Sequence, residues 1–240
     1  MSVPEWQTGI VTRIEEVTYN TRRYWITMPA TEHFDFAPGQ FVTLDLPIHE
    51  QRNKRWRSYS IASSPDGSNT VELVIVHLEG GLGTTYLFNE IKEGSELIIR
   101  GPQGIFTMPT DMHKDLYMIC TGTGIAPFRS IVNYIHAHNT PHAHLHIIFG
   151  TRKREDVLYE EELRALSQKM ERFHYHPVLS RETIDGFHNG YVHAVYQELC
   201  KDKPPANFML CGWKVMIDEA KQRLQAMGYE KKDIHQELYG

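Results

Sequence analysis

From residue 9 to residue 100, apolar and polar positions alternate with the two-residue period of half-buried strands. Residues 9–14, 24–28, 41–46, 71–76 and 96–100 follow this pattern, with turn residues between them. The stretch 57–65 reads as a sixth strand, and 84–90 as the one helix. Six strands with short connections predict a closed antiparallel barrel, an arrangement that removes exposed sheet edges. The pattern changes between residues 107 and 115, where Thr107-Met108-Pro109-Thr110-Asp111 reads as a connector. Beyond it, apolar runs at 116–120, 145–149, 173–179 and 208–211 alternate with helical patterns at 127–138, 159–170, 192–200 and 214–227. Strand and helix in alternation predict a parallel sheet covered on both faces. The expected division is therefore 1–110 and 111–240.

Composition narrows the class. With 240 residues, 41% hydrophobic and 23% charged, the chain is globular rather than disordered. A formal net charge of -5 gives no electrostatic reason to expect nucleic acid or an anionic membrane as a partner. No apolar run approaches bilayer length, and the first residues lack the basic and apolar regions of a signal peptide, so a soluble, cytoplasmic protein is expected. The three cysteines, Cys120, Cys200 and Cys211, are too few to ligate an iron–sulfur cluster. Any such centre is expected on a separate protein.

Chemistry concentrates in a few segments. In Arg57-Ser58-Tyr59-Ser60 a strand places Arg57 and Tyr59 on one side. A guanidinium beside a phenol ring suits a ligand with both a phosphate and a flat ring system; an edge strand with a snorkelling arginine is the alternative. Gly80-Gly81-Leu82-Gly83-Thr84-Thr85 puts glycines directly before a helix, where N–H groups face outward and a diphosphate can approach. Thr84 could equally be a simple N-cap. Gly122-Thr123-Gly124-Ile125-Ala126-Pro127 follows the first strand of the alternating region and matches two glycines of a dinucleotide loop, with Pro127 where a third would stand. An acid is expected about 20 residues past those glycines to hold an NAD ribose. None occurs between Asp115 and Glu155. Arg152, Arg154 and Ser180-Arg181 lie at strand ends instead, and suit a ribose bearing a 2′-phosphate.

Cys211-Gly212 ends a buried strand, a usual ligand position in a parallel sheet, although a cysteine there also serves as packing. His142, His144 and His146 alternate along one strand, but no acid or cysteine joins them, so no metal site is expected. The basic run from Arg52 to Arg57 reads either as a solvated loop or as a surface that steers an acidic partner.

Taken together, the Arg-x-Tyr-Ser segment, the Gly-x-x-Thr helix start, Gly-Thr-Gly-Ile-Ala-Pro-x-Arg-Ser, Cys-Gly and the terminal Glu237-Leu238-Tyr239 resemble the ferredoxin–NADP+ reductase family. The resemblance implies an FAD-binding barrel followed by a five-stranded parallel NADP-binding domain, in a monomer that exchanges hydride with NADP(H) and single electrons with a small acidic carrier, ferredoxin or flavodoxin. It implies that Tyr59 stacks on the flavin and Arg57 binds its diphosphate opposite Gly81, Leu82, Gly83, Thr84 and Thr85, while Val74 to His77, Val76 included, run along the ring. Ser60, Cys211 and Glu237 would line the site of hydride transfer, with Gly212 beside Cys211 and Thr123 near the nicotinamide. Gly122, Gly124 and Pro127 would take the nucleotide diphosphate. Arg152, Ser180 and Arg181 would hold the 2′-phosphate, and Tyr191 would stack on adenine. Asn189 departs from the lysine of NADP-using members, Trp213 from a small residue or proline. Tyr239 would cover the flavin as a gate, with Gly240 a one-residue extension; the alternative is a tyrosine plugging the core. Two other functions fit the segments: an NADH-dependent reductase component of an oxygenase, and a nucleotide-binding regulatory module without turnover.

Overall fold

The computed structural model describes residues 4–239. By its internal contacts the chain forms two compact units, one running to Met108 and including Arg129–Tyr134, the other made of Pro109–Phe128 and the chain from Ile135 onward.

In the first unit the expected six strands form: β1 (Trp6–Thr18), β2 (Thr21–Thr27), β3 (Phe41–Asp45), β4 (Trp56–Ser60), β5 (Thr70–Val76) and β6 (Glu96–Gln103), with helix α1 (Leu82–Asn89). They lie in the order β4-β3-β6-β1-β2-β5, every pairing antiparallel. A bridge from Ile61 to Leu73 joins the two ends of that order, and the Ala62 N–H donates to the Glu72 carbonyl at 2.8 Å. The barrel is thereby closed at the point where the chain leaving β4 meets β5. Val11, Ile26, Val42, Leu44, Leu73 and Ile99 fill its interior with no exposed surface. Each such side chain contributes about 1.5–3 kcal/mol by leaving water. The Tyr24 hydroxyl donates to the Leu87 carbonyl at 3.0 Å and ties α1 to the barrel.

β5 is buried on its outer face too. Glu72 lies there with 3% of its surface exposed, and accepts hydrogen bonds from Arg23 Nε (2.7 Å) and Arg129 Nη1 (3.0 Å). Arg129 Nη1 also donates to the Ala62 carbonyl at 2.8 Å. A carboxylate removed from water needs such partners, because taking one away costs about 3–5 kcal/mol. An isolated acid in an apolar strand carries no sign of them.

The second unit alternates β7 (Asp115–Thr121), α2 (Ala126–His138), β8 (Leu145–Thr151), α3 (Glu160–Lys169), β9 (Phe173–Leu179), α4 (Val192–Leu199), β11 (Ala206–Trp213), α5 (Lys214–Ala226) and β12 (Ile234–Tyr239). With β10 (His188–Asn189), all strands are parallel, in the order β10-β9-β8-β7-β11-β12. The sheet thus has six strands, not five. The extra one, β10 (His188–Asn189), is two residues long and too short to show a hydrophobic period. β7 has β8 on one side and β11 on the other, so the strand order reverses beside it, and ligands bind at the carboxyl end of such a strand. Pro127 occupies the first turn of α2, where its missing N–H costs nothing.

Candidate active site

In the first unit, pairing with β3 places Arg57 opposite Leu44, Tyr59 opposite Val42 and Ser60 opposite Phe41. Arg57 runs over the start of α1. A Cβ on Gly83 would stand 2.9 Å from Arg57 Cγ and 3.0 Å from Nε, so a side chain there would push the arginine aside. Arg57 Nη1 donates to the carbonyls of Lys54 (3.0 Å) and Trp56 (2.8 Å), which fixes the guanidinium; its Nε and Nη2 have no partner among the described residues. Gly81 is the N-cap of α1, whose first turn carries neither a side-chain cap nor an acid. Thr84 is not that cap. Its hydroxyl accepts from the Leu78 N–H at 3.1 Å and shapes the loop that enters the helix, with Thr85 following on the first turn. A forked cation over an open helix N-terminus has the donors a diphosphate requires, so this unit fits a dinucleotide.

Tyr59 packs half-buried against the barrel core; burial raises its phenol pKa, with Arg57 acting in the opposite sense, so the group stays protonated. Ser60 and Val74 are buried and Val76 half-buried. The basic run beside them is largely committed, since the buried Asp45 is met by Arg55 Nε at 2.8 Å and by Arg52 Nε at 3.3 Å.

In the second unit the loops after β7 and β11 touch backbone to backbone. A Cβ on Gly124 would lie 2.5 Å from the Cys211 carbonyl oxygen. Gly212, at φ +126°, would carry one 2.5 Å from Thr121 Oγ1. The Trp213 N–H donates to that same Thr121 hydroxyl at 3.2 Å, and the exposed indole stands beside Gly122. Gly122 and Thr123 form a single 3-10 turn leading into α2. Strand register puts Cys211 opposite Glu237, and Trp213 opposite Tyr239. The Cys211 thiol is fully buried; burial and then Glu237 push its pKa well up, a hydrogen bond with Tyr239 acting the other way. It is a protonated packing group, not a nucleophile. Gly240 lies outside the described residues.

At the ends of β8 and β9 the Arg181 N–H donates to the Arg152 carbonyl (2.9 Å) and the Ser180 N–H to that of Thr151 (3.0 Å). The Arg152 and Arg181 side chains are exposed and form no ion pair among the described residues. Arg154 turns elsewhere, its guanidinium 3.7 Å from Glu160 and over the Phe187 ring. Tyr191, at the N-cap of α4, is 73% exposed.

Two family models match the chain, an oxidoreductase FAD-binding domain over residues 8–108 and an oxidoreductase NAD-binding domain over residues 118–222. Ferredoxin–NADP reductase B of Sorangium cellulosum is 34% identical over 214 residues, 86% of each chain. The chain belongs to the ferredoxin–NADP+ reductase family. Its fold is that of the family: the structure of a ferredoxin NADP+ reductase from Neisseria gonorrhoeae with bound FAD and NADP superimposes with a TM-score of 0.80 at 25% identity, covering 97% of this chain and 98% of that one. The anthranilate 1,2-dioxygenase electron transfer component of Acinetobacter baylyi is 28% identical over 96% of this chain, which spans 66% of that longer protein. As a member of the reductase family the chain is an NAD(P)H-dependent flavin oxidoreductase that uses FAD.

One feature of this family member shows only in part in the sequence. Of the three alternating histidines expected on one strand only His146 lies in β8; it and His144, just before the strand, join His174, His176 and His188 of β9 and β10 in a ladder of imidazoles: His144 Nδ1 to His174 Nε2 is 3.0 Å, His146 Nδ1 to His176 Nε2 3.1 Å and His176 Nδ1 to His188 Nε2 3.4 Å. Tyr117 stacks flat on His146 with ring centroids 4.5 Å apart. Among the described residues no group of three or more ligands is arranged to hold a metal ion. The signal was present only in part, because the alternation of His174 with His176 repeats that of His144 with His146 and needs strand register to be read. Burial, and then the other histidines, lower His146 to about 3 and His176 to about 4.

Two outcomes follow from this geometry. Gly83→Ala should displace Arg57 and weaken FAD retention by about tenfold, measured as flavin absorbance lost on gel filtration with the circular dichroism of the barrel unchanged. The histidine ladder makes stability depend on acid. Unfolded imidazoles titrate near 6.5, the folded ones lower, so the unfolded chain binds extra protons below about pH 6.5 and stability falls from there toward pH 4. His146 alone should contribute about 2 kcal/mol of that loss between pH 7.5 and 5. His146→Phe, which keeps the stack on Tyr117, should flatten the dependence of Tm on pH.

Proposed function

We propose that the protein is an FAD-dependent ferredoxin– or flavodoxin–NADP+ reductase, exchanging hydride with NADP(H) and single electrons with a small acidic carrier. The observation that carries the NADP part is the pair Arg152 and Arg181, exposed, unpaired among the described residues and linked through the Arg181 N–H at the strand ends where a carboxylate would serve NAD. The ferredoxin–NADP reductase relative supports the carrier.

FAD, when bound, supplies the step between two-electron and one-electron chemistry. The chain's own residues hold and orient. Arg57 and the first turn of α1, Gly81 to Thr85, bind the flavin diphosphate, Tyr59 lies along the ring, and Val74 to His77 support it through the backbone. Ser60 serves the reacting end of the flavin in the first unit. In the second, Gly122, Thr123 and Gly124 offer backbone N–H groups to the nucleotide diphosphate, Ser180 and Arg181 with Arg152 take the 2′-phosphate, and Tyr191 stacks on adenine. Cys211, with Gly212 turning the chain behind it, and Glu237 shape the nicotinamide end, and Tyr239 gates it. Of the basic run, Arg52 and Arg55 already serve Asp45, so Lys54 is the cation most available to a carrier.

A second reading, an NADH-dependent reductase component serving an oxygenase, is favoured by relatives such as the glycine betaine monooxygenase reductase subunit of Pseudomonas aeruginosa, 27% identical over 95% of this chain and 63% of that one. The nucleotide comparison separates the two. kcat/KM should be higher with NADPH, and Arg181→Ala should lower it about 10- to 100-fold for NADPH with little change for NADH, the range expected of a lost charge-assisted contact. An equal or better value with NADH in the unaltered protein sinks the NADP assignment. Deleting Tyr239 and Gly240 should tighten nicotinamide binding and narrow the preference between the two nucleotides; unchanged values in steady-state assays would remove Tyr239 as a gate.

A further inference from the structure

Asn189, where the resemblance implies a lysine, is exposed, yet its carboxamide is engaged by its own loop. Its Nδ2 donates to the Glu182 carbonyl at 3.1 Å and to the Thr183 hydroxyl at 2.6 Å, so both of its N–H groups are used within the loop. β10 brings it there. Pairing sets His188 opposite Val178 and Asn189 opposite Leu179, and the Gly190 N–H donates to the Leu179 carbonyl at 2.8 Å. The chain therefore leaves β9 at Leu179, runs out through Ser180, Arg181, Glu182 and Thr183, and returns to the end of the same strand.

Several bonds hold that loop. Gly190 closes its neck, the Arg181 N–H and the Glu182 carboxylate fasten its outward limb to the Arg152 carbonyl (2.9 Å) and the Arg154 N–H (2.8 Å), and Asn189 crosses its middle. Of these, the crossing bonds are the ones made by a side chain of β10. They fix the backbone on the carboxyl side of Arg181, while the bond to Arg152 fixes it at Arg181 itself. A long, exposed arginine costs side-chain entropy to immobilise on a ligand, and a backbone held at both sides lowers what remains to be ordered.

We propose that Asn189 is a positioning residue for 2′-phosphate selectivity: it sets the Ser180–Thr183 backbone so that Arg181 is presented to the phosphate, in place of direct contact by a cation at its own position. The proposal rests on the reading of Arg152, Ser180 and Arg181 as the 2′-phosphate site. It makes selectivity a property of a braced loop.

The test is calorimetric titration of the FAD-loaded protein with 2′,5′-ADP and with 5′-AMP, which differs from it only by lacking the 2′-phosphate. The unaltered protein should bind 2′,5′-ADP more tightly. Asn189→Ala should weaken 2′,5′-ADP about tenfold and 5′-AMP less than about twofold, the scale of two lost neutral hydrogen bonds. In an Arg181→Ala background the same change should have little further effect, because Asn189 acts through Arg181. A ratio of the two affinities that Asn189→Ala leaves unchanged, or losses that simply add in the double variant, would overturn the proposal while leaving the phosphate site standing. Equal binding of the two ligands by the unaltered protein would instead remove the phosphate site and the proposal with it. Retention of flavin and an unaltered Tm in Asn189→Ala separate these outcomes from misfolding.

Discussion

A diphosphate is bound by backbone N–H groups only if nothing stands in front of them, and both units meet that requirement by placing glycine where any side chain would collide. At Gly83 the obstacle is the Arg57 side chain; at Gly124 it is the Cys211 carbonyl, and at Gly212 the Thr121 hydroxyl. These contacts are close because the elements carrying them are immobile: β4 is held in a closed barrel, and β7 and β11 are neighbours in the middle of a parallel sheet. The rigid strands bring the loops together, and the glycines keep the meeting points bare.

Strand and helix periods are local properties, which is why the six barrel strands, the four helices of the second unit and the change of pattern near Pro109 were legible in the residues alone. Pairing is not local. Nothing in 57–65 or 71–76 shows that Ile61 meets Leu73, or that Glu72, one polar position in an apolar strand, lies under two arginines. β10 fell below the length at which a period exists. Motif residues were legible individually, and the fold gathers them: Arg57 with Gly83, Cys211 with Glu237 and Tyr239, Arg152 with Arg181. What each neighbour contributes was not. Thr84 shapes a loop rather than capping its helix, and the basic run after Gln51 spends two of its arginines on Asp45.

Charge is distributed by the same distinction. The buried acids Glu72 and Asp45 are each met by two guanidinium groups, because an unpaired carboxylate out of water is too costly to keep. The histidine ladder meets burial differently: burial lowers the pKa of His146, His174 and His176, and the rings meet one another along N···N contacts in place of an acid. Unlike these committed groups, Arg152 and Arg181, in common with several exposed lysines, form no ion pair among the described residues.

That contrast bears on how a nucleotide is chosen. An unpaired arginine at a loop tip is available to any anion, and by availability alone it would discriminate weakly, since exposed charges are screened and mobile. Discrimination requires that the charge be waiting at the right place before the ligand arrives. If Arg152 and Arg181 form the proposed 2′-phosphate site, the placing is done by neutral groups, the carbonyl of Arg152 on one side and the carboxamide of Asn189 on the other. A lysine at position 189 would add a charge but could not cross-brace the loop with an amide. On the proposed reading, the loop orders its phosphate site by preorganising a cation already present rather than by adding another.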